Sequence, residues 1–163
     1  MRKILIISTG GTFNKIYNLH NGELVIDKES EAVEEIASKW LCKFEIINII
    51  GKDSLQINNQ DRLLLLASID QSKYDDIIVI HGTDTMDITA EYLSNGDLDK
   101  RIVLTGAMVP YFIDTVEATA NLASAFGYLQ TLNKNGVYIV MNGIFGSYDQ
   151  IKKDRKNAKF ILS

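Results

Sequence analysis

Five short polar clusters hold most of the groups in this sequence that could do chemistry. They are Thr9-Gly10-Gly11-Thr12, Asp53-Ser54, His81-Gly82-Thr83-Asp84-Thr85-Met86, Thr105-Gly106 and Asn142-Gly143. The third is the richest, with two hydroxyls, a carboxylate and an imidazole on one turn. A hydroxyl is a poor nucleophile until a neighbouring group takes its proton. Asp84, directly after Thr83, can orient an amine or a water but is a weak base alone. A lysine held by that carboxylate serves better if burial lowers its pKa. Lys152 and Lys153 come late enough in the chain to reach such a site, and read equally as a solvated basic tail. The paired glycines Gly10-Gly11 let a chain turn sharply and approach a ligand closely.

Other chemistries lack their signatures. There is no GxGxxG after the first apolar run and no GxxxxGK[ST], which removes the marks of dinucleotide and P-loop binding. The glycine turn could still offer backbone N–H groups to an anion. No GxSxG elbow is present for serine-hydrolase chemistry. His20 and His81 are far apart and no carboxylate cluster joins them, so no metal site is expected. Cys42 is the sole cysteine. It excludes an internal disulfide framework and a multi-cysteine metal site, and reads as a small buried hydrophobe.

The elements that must position these clusters follow from apolar patterning. Short β-branched runs predict strands over Lys3 to Ser8, Phe44 to Ile50, Asp76 to Ile80, Arg101 to Thr105 and Val137 to Met141. Helical spacing predicts helices from Asp27 through Trp40 and Leu41, from Asn58 or Asn59 to about Ile69, from Asp87 to Leu93, and from Asp114 or Thr115 to about Leu132. Glu23 to Asp27, after the Asn21-Gly22 turn, reads as a short hairpin arm. The polar loop with Tyr17 and His20 is a lid or a plain connection. Five strand–helix alternations predict an α/β fold: a three-layer, doubly wound, mostly parallel sheet, flavodoxin/Rossmann-like, with about five core strands in the order 2-1-3-4-5. Every polar cluster then falls at a strand's carboxyl end, the edge where such sheets bind ligands, which predicts a small-molecule site.

With 163 residues, the chain reads as one domain, 1–163, with a basic, weakly patterned tail from about Asp149. A hydrophobic fraction of 46% with 23% charged residues is that of an ordinary globule. The net charge of −4 argues against nucleic acid or an anionic membrane as the main partner. The apolar core Ile4 to Ile7 is too short for a signal peptide and no run reaches membrane-spanning length, so a cytoplasmic protein is expected.

Taken together, TGGT, Asp53-Ser54, HGTDTM, Thr105-Gly106-Ala107-Met108 with Pro110, and Asn121-Leu122 resemble the N-terminal domain of the bacterial-type L-asparaginase/glutaminase family. TGGT and HGTDTM, in that order and at that separation, are the specific pair. The resemblance implies hydrolysis of an amino-acid side-chain amide to the acid and ammonia, with no cofactor and no metal. By resemblance, Thr12 is the primary nucleophile. Thr83, Asp84 and a lysine after the fifth strand, best matched by Lys153, form a second centre, and Tyr17 is the loop tyrosine that assists Thr12. Ser54 is the match for the residue holding the substrate's α-carboxylate, Asp84 also meets the α-amine, and the backbone N–H of Thr83 helps form the oxyanion hole. Gly11, Asp53, Gly82 and Ala107 complete the implied binding wall. Leu55, Val109 and Glu117 depart from the family pattern. So does length, since family members continue into a C-terminal domain that this chain is expected to lack. A homodimer or higher homo-oligomer follows as an expectation. Alternative readings are an inactive amino-acid-binding or subunit domain of the same fold, and an FMN- or nucleotide-binding flavodoxin-like module.

Overall fold

The computed structural model describes residues 2–40 and 44–163. Leu41 and Cys42, read from sequence as a helix position and a buried hydrophobe, lie outside the described residues.

The chain opens with β1 (Ile4–Gly10), buried along its whole length. A short 3-10 turn, Thr12–Asn14, leads into β2 (Lys15–Tyr17), which pairs antiparallel with β3 (Leu24–Ile26) as the expected hairpin arm. Then come α1 (Glu31–Ser38), β4 (Phe44–Lys52), α2 (Asn59–Asp70), β5 (Asp76–Ile80), α3 (Met86–Asn95), β6 (Arg101–Thr105), α4 (Thr115–Thr131) and β7 (Gly136–Met141). Three strands follow where the sequence shows only a weakly patterned tail: β8 (Ile144–Ser147), β9 (Ile151–Asp154) and β10 (Lys159–Leu162).

The main sheet runs β4-β1-β5-β6-β7-β8. Its first four pairings are parallel and the last is antiparallel. Among the five strands joined by helical crossovers the order is 2-1-3-4-5, as expected, and β8 adds an edge. Side chains alternate across each strand, so one run feeds two cores. Ile4, Ile6, Ile78 and Ile80 meet Val33 and Ile36 of α1 and Ala118, Leu122, Ala125 and Leu129 of α4. Leu5, Ile7, Ile77 and Val79 meet Leu65 and Ile69 of α2 and Met86, Ala90 and Leu93 of α3 on the other face. Burial on both faces explains why these strands are continuous apolar runs. Each such side chain contributes about 1.5–3 kcal/mol by leaving water.

Local polar groups set the helix starts. At α2, Asn58 Oδ1 accepts the N–H groups of Gln60 and Asp61 while Asp61 accepts the N–H of Asn58, a reciprocal capping box. At α4, Asp114 accepts the N–H of Val116. α1 begins at Glu31, four residues later than Asp27. Ser30 there is left-handed (φ 56°), buried, and bonded to Ser8 and Asn48 on the sheet. A left-handed residue interrupts a helix. Asp27 instead accepts the N–H groups of Glu29 and Glu31 from outside the helix.

β4 runs two residues past the expected Ile50. Ile50 and Gly51 both take positive φ, and the β1–β4 register shifts between Ser8 and Gly10. This bulge sets Lys52 opposite Gly10, and its carbonyl accepts the N–H of Gly11 at 3.0 Å. The irregularity therefore ties the first polar cluster to the second.

Candidate active site

Three loops at the carboxyl edge of the sheet stack through their backbones. Gly11 has φ 78°, and a Cβ there would stand 2.5 Å from the backbone N of Gly82. A Cβ at Gly82 would in turn stand 2.6 Å from Cβ of Ser54. Real side chains do not tolerate such distances, so glycine at both positions is what lets the TGGT, HGTD and DS turns touch. Thr85 Oγ1 adds a bond to the Ser54 carbonyl at 2.8 Å. Thr9 and Thr105 are buried and bond backbone carbonyls of the neighbouring strands, Ile80 and Val140. Their hydroxyls hold strand ends together rather than face a ligand.

His81 is buried under this stack. Its Nδ1 lies 2.7 Å from the Gly82 carbonyl and its Nε2 lies 2.9 Å from Thr89 Oγ1. A carbonyl only accepts, so Nδ1 carries the proton. Thr89 accepts from Arg62 Nε at 3.0 Å and donates to Nε2. Burial pushes the His81 pKa down from 6.5 to about 4; the Gly82 carbonyl opposes the shift, Arg62 adds to it and Asp87 opposes it. The imidazole is thus a neutral strut at ordinary pH.

A cleft of about 370 Å³ opens beside the stack, lined by Thr12, Thr83, Asp84, Met108, Lys153, Arg155 and Ala158. Lys153 Nζ donates to Thr83 Oγ1 at 2.8 Å and to Asp84 Oδ1 at 2.6 Å. Its side chain is 13% exposed, against 40% for that of Asp84. Arg155 Nη2 donates to the Asp84 carbonyl at 2.6 Å. Of the two late lysines, Lys152 is solvated and Lys153 is not. The reason is strand alternation in the β9–β10 hairpin. Ile151 and Phe160 are buried in the core, Lys153 lies opposite Phe160, and Lys152 points away.

Other expected residues take different places. Ser54 is buried beneath Gly82. Asp53 accepts the Leu55 N–H and pairs with Lys15 at 3.1 Å. Burial pulls its carboxyl up, and the Leu55 N–H and Lys15 more than offset that, leaving it below the ordinary carboxylate range. Ala107 is fully buried against the core and lies outside the cleft lining. Tyr17 is 60% exposed on the β2–β3 arm, outside the cleft lining. Among the described residues no group of three or more His, Cys, Asp or Glu could share a metal ion, and no helix is long and apolar enough to cross a membrane.

Sequence named Glu117, Asn121 and Asn142 without the role they take in shaping the rim. Glu117 accepts the N–H groups of Met108 (3.1 Å) and Val109 (2.9 Å) and Nδ2 of Asn142 (2.9 Å). Asn121 donates to the Gly106 carbonyl at 2.8 Å and accepts the Asn142 N–H at 2.9 Å. One helix face of α4 thereby fixes two strand-end loops. Arg155 and Ala158 enter the cleft from the hairpin, whose only sequence signal is the apolar pair Ile151 and Phe160.

The family model for the asparaginase N-terminal domain matches residues 3–158. The chain belongs to the asparaginase family. It is 30% identical over 168 residues to a probable periplasmic L-asparaginase of Haemophilus influenzae, covering 91% of this chain and 46% of that protein. L-asparaginase 2 of Escherichia coli is 30% identical over 148 residues, covering 85% of this chain and 42% of the relative. Among solved structures, a probable cytoplasmic L-asparaginase of Campylobacter jejuni superposes with a TM-score of 0.77 at 28% identity, covering 94% of this chain and 50% of that one. The thermostable L-asparaginase of Thermococcus kodakarensis shares the fold with a TM-score of 0.82 at 24% identity, covering 98% and 51%. The chain thus spans about half the length of the asparaginase-family relatives it matches.

Proposed function

We propose that this chain is an amidohydrolase that converts the side-chain amide of L-asparagine, or a related amide, to the acid and ammonia by threonine-based catalysis. One observation carries the reading: Lys153 Nζ bridges Thr83 Oγ1 and Asp84 Oδ1 in the cleft that also holds Thr12. Family membership and relatives named as L-asparaginases support it.

In this reading the Thr12 hydroxyl oxygen attacks the amide carbonyl carbon and its proton is taken up in the site. The tetrahedral oxyanion is met by backbone N–H groups, that of Thr83 among them. The C–N bond then breaks, a proton goes to the nitrogen and ammonia leaves, so Thr12 carries an ester. Water, positioned by the Thr83–Lys153 pair, adds to that ester, and its proton returns to the Thr12 oxygen as the acid is released. Asp84 orients the lysine and receives the substrate's α-amine. The Ser54 hydroxyl and the backbone at Gly11, Asp53 and Gly82 form the binding wall, backed by Ala107, with Tyr17 assisting Thr12 once its arm closes. No cofactor is assigned.

Ammonia release from L-asparagine and L-glutamine tests this on the full chain. Thr12→Ala and Thr83→Ala should abolish turnover, and Lys153→Met should reduce it by about 100-fold or more. Turnover in the wild type no greater than in these variants would sink the reading. A second reading is a binding or subunit domain of the same fold. L-aspartate binding without turnover would support that one.

The partners proposed are a small amino-acid amide and further copies of this chain, as a homodimer or higher homo-oligomer whose neighbour closes the open side of the cleft. Nucleic acid and membrane are not among them. The proposed location is the cytoplasm, as named for the Campylobacter jejuni protein rather than for the Haemophilus influenzae one. Cell fractionation separates the two.

A further inference from the structure

The charges lining the cleft do not balance. Lys153 and Arg155 are cations and Asp84 is the one carboxylate among the lining residues. Asp84 already pairs with Lys153 at 2.6 Å. Arg155 spends Nη2 on the Asp84 carbonyl, and among the described residues no carboxylate stands within ion-pair distance of it. Its Nε and Nη1 have no acceptor among those residues. The backbone that carries this side chain is also held in place. Asp154, beside it, accepts the N–H groups of Lys156 and Asn157 at 3.1 Å and Nδ2 of Asn157 at 2.7 Å, which fixes the β9–β10 turn. A planar guanidinium with free N–H groups, anchored at a cleft rim, matches the two oxygens of a carboxylate. Ser54, the other group assigned to the substrate's acid end, offers only a neutral hydroxyl.

We propose that Arg155 is a specificity-determining residue: it supplies the positive charge that selects amides bearing a carboxylate over neutral amides. This rests on the amidohydrolase reading for its consequence in turnover, but the binding of a carboxylate does not.

The test compares L-asparagine with 3-aminopropanamide, which is asparagine without its carboxylate, in the wild type, Arg155→Gln and Arg155→Lys. Arg155→Gln should lower the ratio of kcat/KM for L-asparagine over 3-aminopropanamide by about tenfold or more, mainly through KM. Arg155→Lys, which keeps the charge and loses the fork, should restore part of that ratio. An equal loss on both amides would make Arg155 only a strut for the Asp84 loop and overturn the proposal, as would an unchanged ratio. If the wild type releases ammonia from neither amide, the amidohydrolase reading fails by itself. Calorimetric titration with L-aspartate then decides. Binding about tenfold or more weaker in Arg155→Gln upholds carboxylate selection, and equal affinity or no wild-type binding overturns it.

Discussion

The imidazole of His81 ties the Gly82 carbonyl through Nδ1 and Thr89 of α3 through Nε2, which gives a residue-scale prediction about pH. The folded state keeps His81 neutral down to about pH 4, whereas in the unfolded chain it protonates near 6.5. Between those values the unfolded chain binds a proton that the fold excludes. The stability His81 contributes is therefore fully present above about pH 6.5 and is lost as pH falls toward about 4, by up to about 3 kcal/mol. Urea unfolding near pH 7.5 and near pH 4.5 measures this. His81→Gln should lose less stability over that interval than the wild type, and parallel losses would assign the acid sensitivity to other groups.

At the scale of elements, the hairpin β9–β10 is what brings a lysine to Thr83. A two-stranded hairpin is marginal alone. This one is anchored by Ile151 and Phe160 in the core shared with α3 and β7. Phe160→Ala removes an aromatic anchor directly opposite Lys153, at a local cost of about 3–5 kcal/mol. Amide exchange over 151–162 should accelerate while β1 and β5 keep their protection, and ammonia release should fall toward the level of Lys153→Met. Equal loss of protection in β1 and β5 would show instead that the hairpin melts only with the whole sheet.

For the whole molecule, the conspicuous surface feature lies between β6 and the first turn of α4. Val109, Phe112, Ile113 and Val116 are all exposed there, next to Met108 of the cleft rim. Contiguous exposed apolar residues of this kind mark association surfaces. The proposed self-association predicts a particle in light scattering heavier than the 18.3 kDa chain, reduced to the single-chain mass by joint Ile113→Asp and Val116→Asp substitution. A wild-type particle of 18.3 kDa overturns it.

The layered fold was legible because each signal was local. Continuous β-branched runs such as Ile77 to Ile80, the polar helix starts at Asn58 or Asn59 and at Asp114 or Thr115, and glycine at strand ends need no distant partner to be read. Burial of parallel strands on both faces leaves that pattern in the residues themselves. TGGT and HGTDTM were legible as motifs for the same reason. The late strands were not, because β8, β9 and β10 take their shape from what they pack against, and basic residues mask their short alternation. Nor does sequence separate Lys153 from Lys152, since one residue of register decides which side chain faces Asp84. Tertiary structure alone also showed that Asp53 is engaged by Lys15, that Ala107 is enclosed, and that Arg155 has no carboxylate partner among the described residues. Sequence by itself determined the five parallel strands of the sheet and the two threonine turns. The packing of three loops through Gly11 and Gly82, and of a hairpin against them, decided which groups share a cleft, because those contacts join segments far apart in the chain.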